Sequence, residues 1–127
     1  MSFSFNPQYG LIIVHAELTG PSGSAVLRLA LDTGATGTLV NVGMLVSIGY
    51  DPALVENRFQ ITTGSGVEFV PRLTVNKITA LGQQRIDFPV LCHTLPASTG
   101  VDGRLGLDFF QVCVLTLDFR EQKITLN

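Results

Sequence analysis

Alternation of apolar and polar residues with a period of two constrains this chain more than any other feature. Leu27, Leu29 and Leu31 alternate with Val26, Arg28 and Ala30. Val67, Phe69, Leu73 and Val75 alternate with Glu68, Arg72, Thr74 and Asn76, and Cys113, Leu115, Leu117 and Phe119 with Val114, Thr116 and Asp118. Successive side chains of a strand point to opposite faces, so each run predicts a half-buried strand. Turn-forming stretches separate the runs at Gly20-Pro21-Ser22-Gly23, Gly64-Ser65-Gly66, Leu81-Gly82-Gln83-Gln84 and Arg120-Glu121-Gln122-Lys123. Pro71 has no amide hydrogen to donate, which predicts a bulge or an edge position there. Two short helical pieces are expected, Val42 to Ile48 before Gly49, and Leu107 to Gln111, with Asp108 in the first turn where the helix dipole favours an anion. The fold class is all-β: one domain over residues 1–127, a small and mostly antiparallel barrel or sandwich with little helix.

Composition narrows the function. The net charge is −2 and the eight basic residues are scattered. Nucleic-acid binding is disfavoured, because phosphate contacts need concentrated positive charge. No apolar run approaches the roughly 18 residues that span a bilayer, so no membrane association is expected. Met1-Ser2-Phe3-Ser4 lacks a basic segment leading into a long apolar stretch, and cytoplasmic residence is the expectation. Cys92 and Cys113 both sit among apolar neighbours and read as buried thiols rather than a disulfide. His15 and His93 show no metal-ligand spacing, so neither a metal nor an organic cofactor is implied. Charged residues make up only 14% of the chain, below the roughly 25% usual for soluble domains. This shortage hints that a partner covers some of the surface.

The chemistry concentrates at Asp32-Thr33-Gly34-Ala35, directly after the apolar run Ala25 to Leu31. A carboxylate on a tight turn at the end of a buried strand is suited to activating water, provided a second carboxylate shares its proton. Two such groups about 3 Å apart cannot both ionise, so one serves as base while the other supports the carbonyl oxygen. Thr33 offers a hydroxyl for bonding to an opposite loop, and Gly34 lets backbone approach the carboxylate. Downstream, Leu105-Gly106 supplies a glycine where another piece of backbone can pass close to that turn. By themselves, Asp and Gly are common turn residues, and a plain strand-end turn remains an alternative reading of the triplet.

The run Leu29-Ala30-Leu31-Asp32-Thr33-Gly34-Ala35 resembles the catalytic loop of the single-domain, retropepsin-type aspartic peptidases of retroviruses, bacteria and DNA-damage-inducible relatives. Asp102-Gly103-Arg104-Leu105-Gly106-Leu107-Asp108-Phe109-Phe110 resembles the bacterial and damage-inducible form of their second motif. Leu117-Asp118-Phe119 with Ile124-Thr125-Leu126 is similar to the closing hairpin, so the resemblance runs from about Tyr9 to Leu126. It implies a small closed antiparallel β-barrel of the acid-protease fold and a homodimer in which each subunit contributes one Asp32. Asp32, Thr33 and Gly34 would be catalytic. Ala35, a flap over Thr62 to Phe69 tipped at Gly64-Ser65-Gly66, Arg104 and Leu105 would bind a peptide or protein substrate. Asp108 and Asp118 are followed by Phe109-Phe110 and Phe119-Arg120, too bulky for the Thr-Gly role, so neither supplies the second carboxylate.

Two positions depart from the family pattern. The slot usually apolar before Leu105 holds Arg104. Three readings stay open: an ion pair with Asp102 or Asp108, a pocket preferring an acidic substrate side chain, or a site no longer adapted to proteolysis. Ala35 stands where pepsin-like loops place Ser, which predicts a mildly acidic to near-neutral optimum. The rival function is a non-catalytic dimerisation or peptide-binding module of the same fold, supported by Arg104 and by the lack of Tyr in the flap.

Overall fold

Hairpins account for most of the strand pairing. The computed structural model describes all of residues 1–127. In chain order the strands are β1 (Ser2–Ser4), β2 (Ile13–Gly20), β3 (Gly23–Leu31), β4 (Leu39–Asn41), β5 (Arg58–Thr63), β6 (Gly66–Ala80), β7 (Gln83–His93), β8 (Gly103–Leu105), β9 (Leu115–Asp118) and β10 (Lys123–Leu126), with one helix, α1 (Val42–Ser47), after β4. Each of the four turn stretches joins an antiparallel pair: β2 to β3, β5 to β6, β6 to β7 and β9 to β10. Between β6 and β7, Leu81 (φ 51°) and Gly82 (φ 73°) are both left-handed, as a two-residue turn matched to strand twist requires.

Six strands run in the order β2-β3-β8-β4-β7-β6, and pairing of β2 with β6 through Ala16↔Ala80 to Thr19↔Lys77 closes the ring. The other sheet is β1-β10-β9. Not every pairing is antiparallel: β3 with β8, and β4 with β7, run parallel. The parallel register Ala30↔Arg104 and Leu31↔Leu105 brings β3 and β8 to their ends side by side, so the two loops that follow must meet. Pro71 pairs with Arg58 at the point where β6 leaves β5 and takes up β7, and so occupies the expected edge position.

Alternation decides the core. Leu27 and Leu29 of β3, Val75 and Ile78 of β6, and Leu105 of β8 are fully buried in one apolar cluster. Each such side chain contributes about 1.5–3 kcal/mol by leaving water. Phe109 lies edge-to-face against Phe88 and Phe110, with centroids 6.0 and 5.4 Å away. The Arg85 guanidinium covers its ring at 4.8 Å and donates to its carbonyl at 3.0 Å.

Some expected features differ. Val67 and Phe69 are exposed, because the β5–β6 hairpin extends beyond the ring and nothing in the chain packs over it. Leu107–Phe110 forms a 3₁₀ turn rather than a longer helix, since Gln111 returns to an extended conformation. β9 begins only at Leu115, leaving Cys113 half-buried, and Phe119 falls in the exposed turn, where its ring meets Phe5 edge-on. Cys92 is buried as expected, and both thiols are free. No helix is long and apolar enough to cross a membrane.

Candidate active site

The Asp32 loop leaves the end of β3 and is clasped by the segment that follows β8. The Asp32 amide donates to the Leu105 carbonyl at 3.0 Å, and the Leu107 amide donates to the Ala35 carbonyl at 2.8 Å. Gly106 sits between these two bonds. A Cβ there would lie 2.6 Å from the Gly37 carbonyl carbon and 3.0 Å from the Ala35 oxygen, so the close approach inferred from Leu105-Gly106 is present in the backbone. Gly103 is similarly confined, for its Cβ would collide with the Leu39 carbonyl.

Thr38 is the hub of this crossing, and it is the one polar residue that is fully buried. Its amide and hydroxyl donate to the two Asp108 oxygens at 3.1 and 2.8 Å. The same hydroxyl accepts from the Gly106 amide at 3.1 Å, and the Thr38 carbonyl accepts from the Leu91 amide at 2.9 Å. Every polar group of Thr38 therefore has a partner, as burial demands. Asp108 thus serves to lock the loops together. Sequence reading attended to its place in the helix dipole and missed this role, although a Thr shortly after the Asp-Thr-Gly triplet was the available signal.

Asp32 itself is half-buried. Its Oδ1 accepts from the Gly34 amide at 2.9 Å, an Asx turn that fixes the carboxylate and leaves the other oxygen without a partner in the chain. A Cβ on Gly34 would meet only that Oδ1, at 3.2 Å. Thr33 is exposed at the tip of the loop, whereas Ala35 is buried beneath it with its amide on the Asp32 carbonyl at 3.2 Å.

Asp32, Gly34 and Ala35 line a cavity of about 490 Å³, a size usual for ligand sites. Its other walls include Phe59 to Thr62 of β5, Leu91 of β7, Arg72 of β6, and Arg104 and Asp108. Arg104 therefore faces the groove. It makes no ion pair with Asp102, whose carboxylate accepts from the Arg28 amide at 2.9 Å, nor with Asp108, which is engaged by Thr38. Leu105 does not face the groove: alternation along β8 turns it into the core, fully buried, and only its carbonyl serves the Asp32 loop. Gly64, Ser65 and Gly66 form the tip of the β5–β6 hairpin, tied by Thr63 Oγ1 to the Gly66 carbonyl at 3.1 Å. None of the three lines the cavity; the β5 arm does so instead. Arg72 was read in the sequence only as a polar position of its strand, because it lies about 40 residues from the triplet and reaches the site only through sheet register.

Comparison with known proteins agrees with this geometry. The family model described as aspartyl protease matches residues 14–109. The crystal structure of a retropepsin-like aspartic protease from Rickettsia conorii superposes with a TM-score of 0.76 at 15% identity, covering 100% of this chain and 89% of that one. Among curated proteins none matches by sequence. With the matched region spanning both the Asp32 loop and the Arg104-to-Phe109 segment that clasps it, the chain belongs to the aspartyl protease family and is an aspartic peptidase with the retropepsin-like fold.

Proposed function

We propose that two copies of the chain form a homodimer in which Asp32 of each subunit meets its twin across a two-fold axis. The pair hydrolyses an extended peptide or protein substrate. One observation carries this reading. Asp32 lines the groove with one oxygen unpartnered, and the only other carboxylate there, Asp108, has both oxygens committed to Thr38. A single chain therefore lacks the second acid that the chemistry requires.

In this reading one carboxylate takes a proton from water as the oxygen attacks the peptide carbonyl. The other, protonated, donates a hydrogen bond to the carbonyl oxygen as its carbon becomes tetrahedral. The proton taken from water then passes to the peptide nitrogen, which leaves as an amine when the C–N bond breaks. Exposed Thr33 is placed to bond across the paired loops, and Gly34 and Ala35 form the floor. The hairpin tipped at Gly64-Ser65-Gly66 closes over the substrate, which adds as a strand between flap and floor. The exposed apolar residues Phe59, Val67 and Phe69 on that hairpin are available to cover substrate or partner. The two unpaired thiols suit a reducing compartment such as the cytoplasm.

A mixed peptide library incubated with wild type and Asp32→Asn between about pH 3 and 8 tests the proposal. Cleavage lost in the variant supports it, and equal products from both proteins reject it. Binding without cleavage by either would favour a non-catalytic peptide-binding module, the reading to which Arg104 lends some weight.

A further inference from the structure

From the register of the sheet we infer that the groove selects peptides carrying an acidic side chain next to Arg104, an inference that rests on the peptide-binding part of the proposed function. Cross-strand partners share a face of the sheet. The pairings Arg104↔Leu39, Leu39↔Leu91 and Leu91↔Arg72 therefore set these four residues in one row across β8, β4, β7 and β6. Three strand spacings separate its ends, about 14 Å, a span that two arginine side chains reach into from either side. Between them Leu39 and Leu91 pack with Val70 as a small apolar cluster apart from the main core. The result is an apolar floor with a guanidinium at each end.

Neither guanidinium has an anion. The one ion pair in the chain joins His93 to Glu68 at 3.7 Å. Arg104 Nε is buried and makes no hydrogen bond, and the Arg72 guanidinium lies over the Phe59 ring at 4.7 Å. A guanidinium without an acidic partner in the chain is costly to bury in part, and a bound carboxylate is the group that would supply the missing charge. Arginine, with its planar fork of donors, takes a carboxylate in two parallel bonds. Asp108, the other acid lining the groove, does not compete, because both of its oxygens are held by Thr38. A Glu or Asp side chain would lay its methylenes over Leu91, which lines the groove with Leu39 buried beside it, and its carboxylate on Arg104, with Arg72 adding a favourable field.

The test uses two pools of octapeptides, identical except for Glu or Gln at one fixed central position. Binding is measured on Asp32→Asn protein, and cleavage on the wild type. The expected result is about 10- to 100-fold tighter binding of the Glu pool, the range of a charge-assisted hydrogen bond. Adding Arg104→Leu removes the discrimination, Arg104→Lys keeps part of it, and Arg72→Leu, a second variant should the first fold poorly, reduces it. Equal binding of both pools, or binding of neither, overturns the inference. Cleavage that depends on Asp32 but ignores Glu against Gln overturns it while leaving the peptidase standing. Glu-selective binding that Arg104 controls, with no cleavage, sustains the selectivity and rejects the catalytic dyad instead.

Discussion

Replacing Gly106 by alanine strikes the crossing of the two loops and little else. Its φ of −93° is open to any residue, so the effect is steric. The new methyl would sit 2.6 Å from Gly37 C, 2.7 Å from Gly37 O and 3.0 Å from Ala35 O. Ordinary contacts begin near 3.4 Å, so backbone must retreat by about 0.8 Å, and no flexible side chain is there to yield. Overpacking of this kind costs about 1–3 kcal/mol. The same retreat stretches the Leu107-to-Ala35 and Gly106-to-Thr38 hydrogen bonds, each contributing about 1 kcal/mol net. Against this stands about 0.4–1 kcal/mol from restricting the unfolded chain. The net expectation is a loss of about 2–4 kcal/mol, or roughly 10 °C in midpoint for a domain of this size. Urea unfolding with an unchanged m-value measures it. Gly43→Ala is the control: it lies in α1 with nothing within 4 Å of its Cβ, so stability should hold or rise by up to about 1 kcal/mol. A Gly106→Ala protein within about 0.5 kcal/mol of wild type would refute the reasoning, as would an equal loss in Gly43→Ala.

Two further outcomes follow from the same contacts. Asp108→Ala leaves the buried Thr38 amide and hydroxyl without their acceptor and should cost about 2–3 kcal/mol in urea unfolding, while Asp108→Asn, which keeps an acceptor, should cost less; equal effects would mean that the carboxamide satisfies neither group. Burial pushes the Cys92 thiol up to about 11 despite the opposing charge of Arg58. Its folded value thus lies above the ordinary 9.0, so its contribution to stability is full below about pH 9 and is lost as pH rises through about 11. A thiol reagent at neutral pH should label half-buried Cys113 in the folded protein and reach Cys92 only on unfolding, which mass mapping of the labelled peptides decides.

Local chemistry carried most of the fold. Glycine-rich turns and period-two runs place the hairpins, because both signals act within a few residues. What they cannot convey is how distant strands neighbour one another. The insertion of β8 between β3 and β4, with its parallel pairing to β3, joins residues more than 60 apart and leaves no periodic trace. The triplet at Asp32 and the glycine at 106 were legible because each has a steric reason to be what it is. Arg72 was not, since its place beside the groove depends on a register of β6 with β7 that the sequence does not spell out. Leu105 was assigned to the groove by the family resemblance alone, and strand alternation turns it inward. Apolar patterning also overstated burial at Val67 and Phe69, where the pattern is real but nothing in the chain packs over the hairpin.

The pairing of Asp32 with its own copy is tested most directly by mixing subunits. Wild type and Asp32→Asn are unfolded together, refolded at a series of ratios, and assayed on a peptide that the wild type cleaves. If each active site needs an Asp32 from both subunits of a two-fold dimer, activity follows the square of the wild-type fraction, and an equal mixture retains roughly one quarter. Activity that falls in direct proportion, with roughly half remaining at equal mixture, would mean that a single subunit is sufficient and would contradict the shared site.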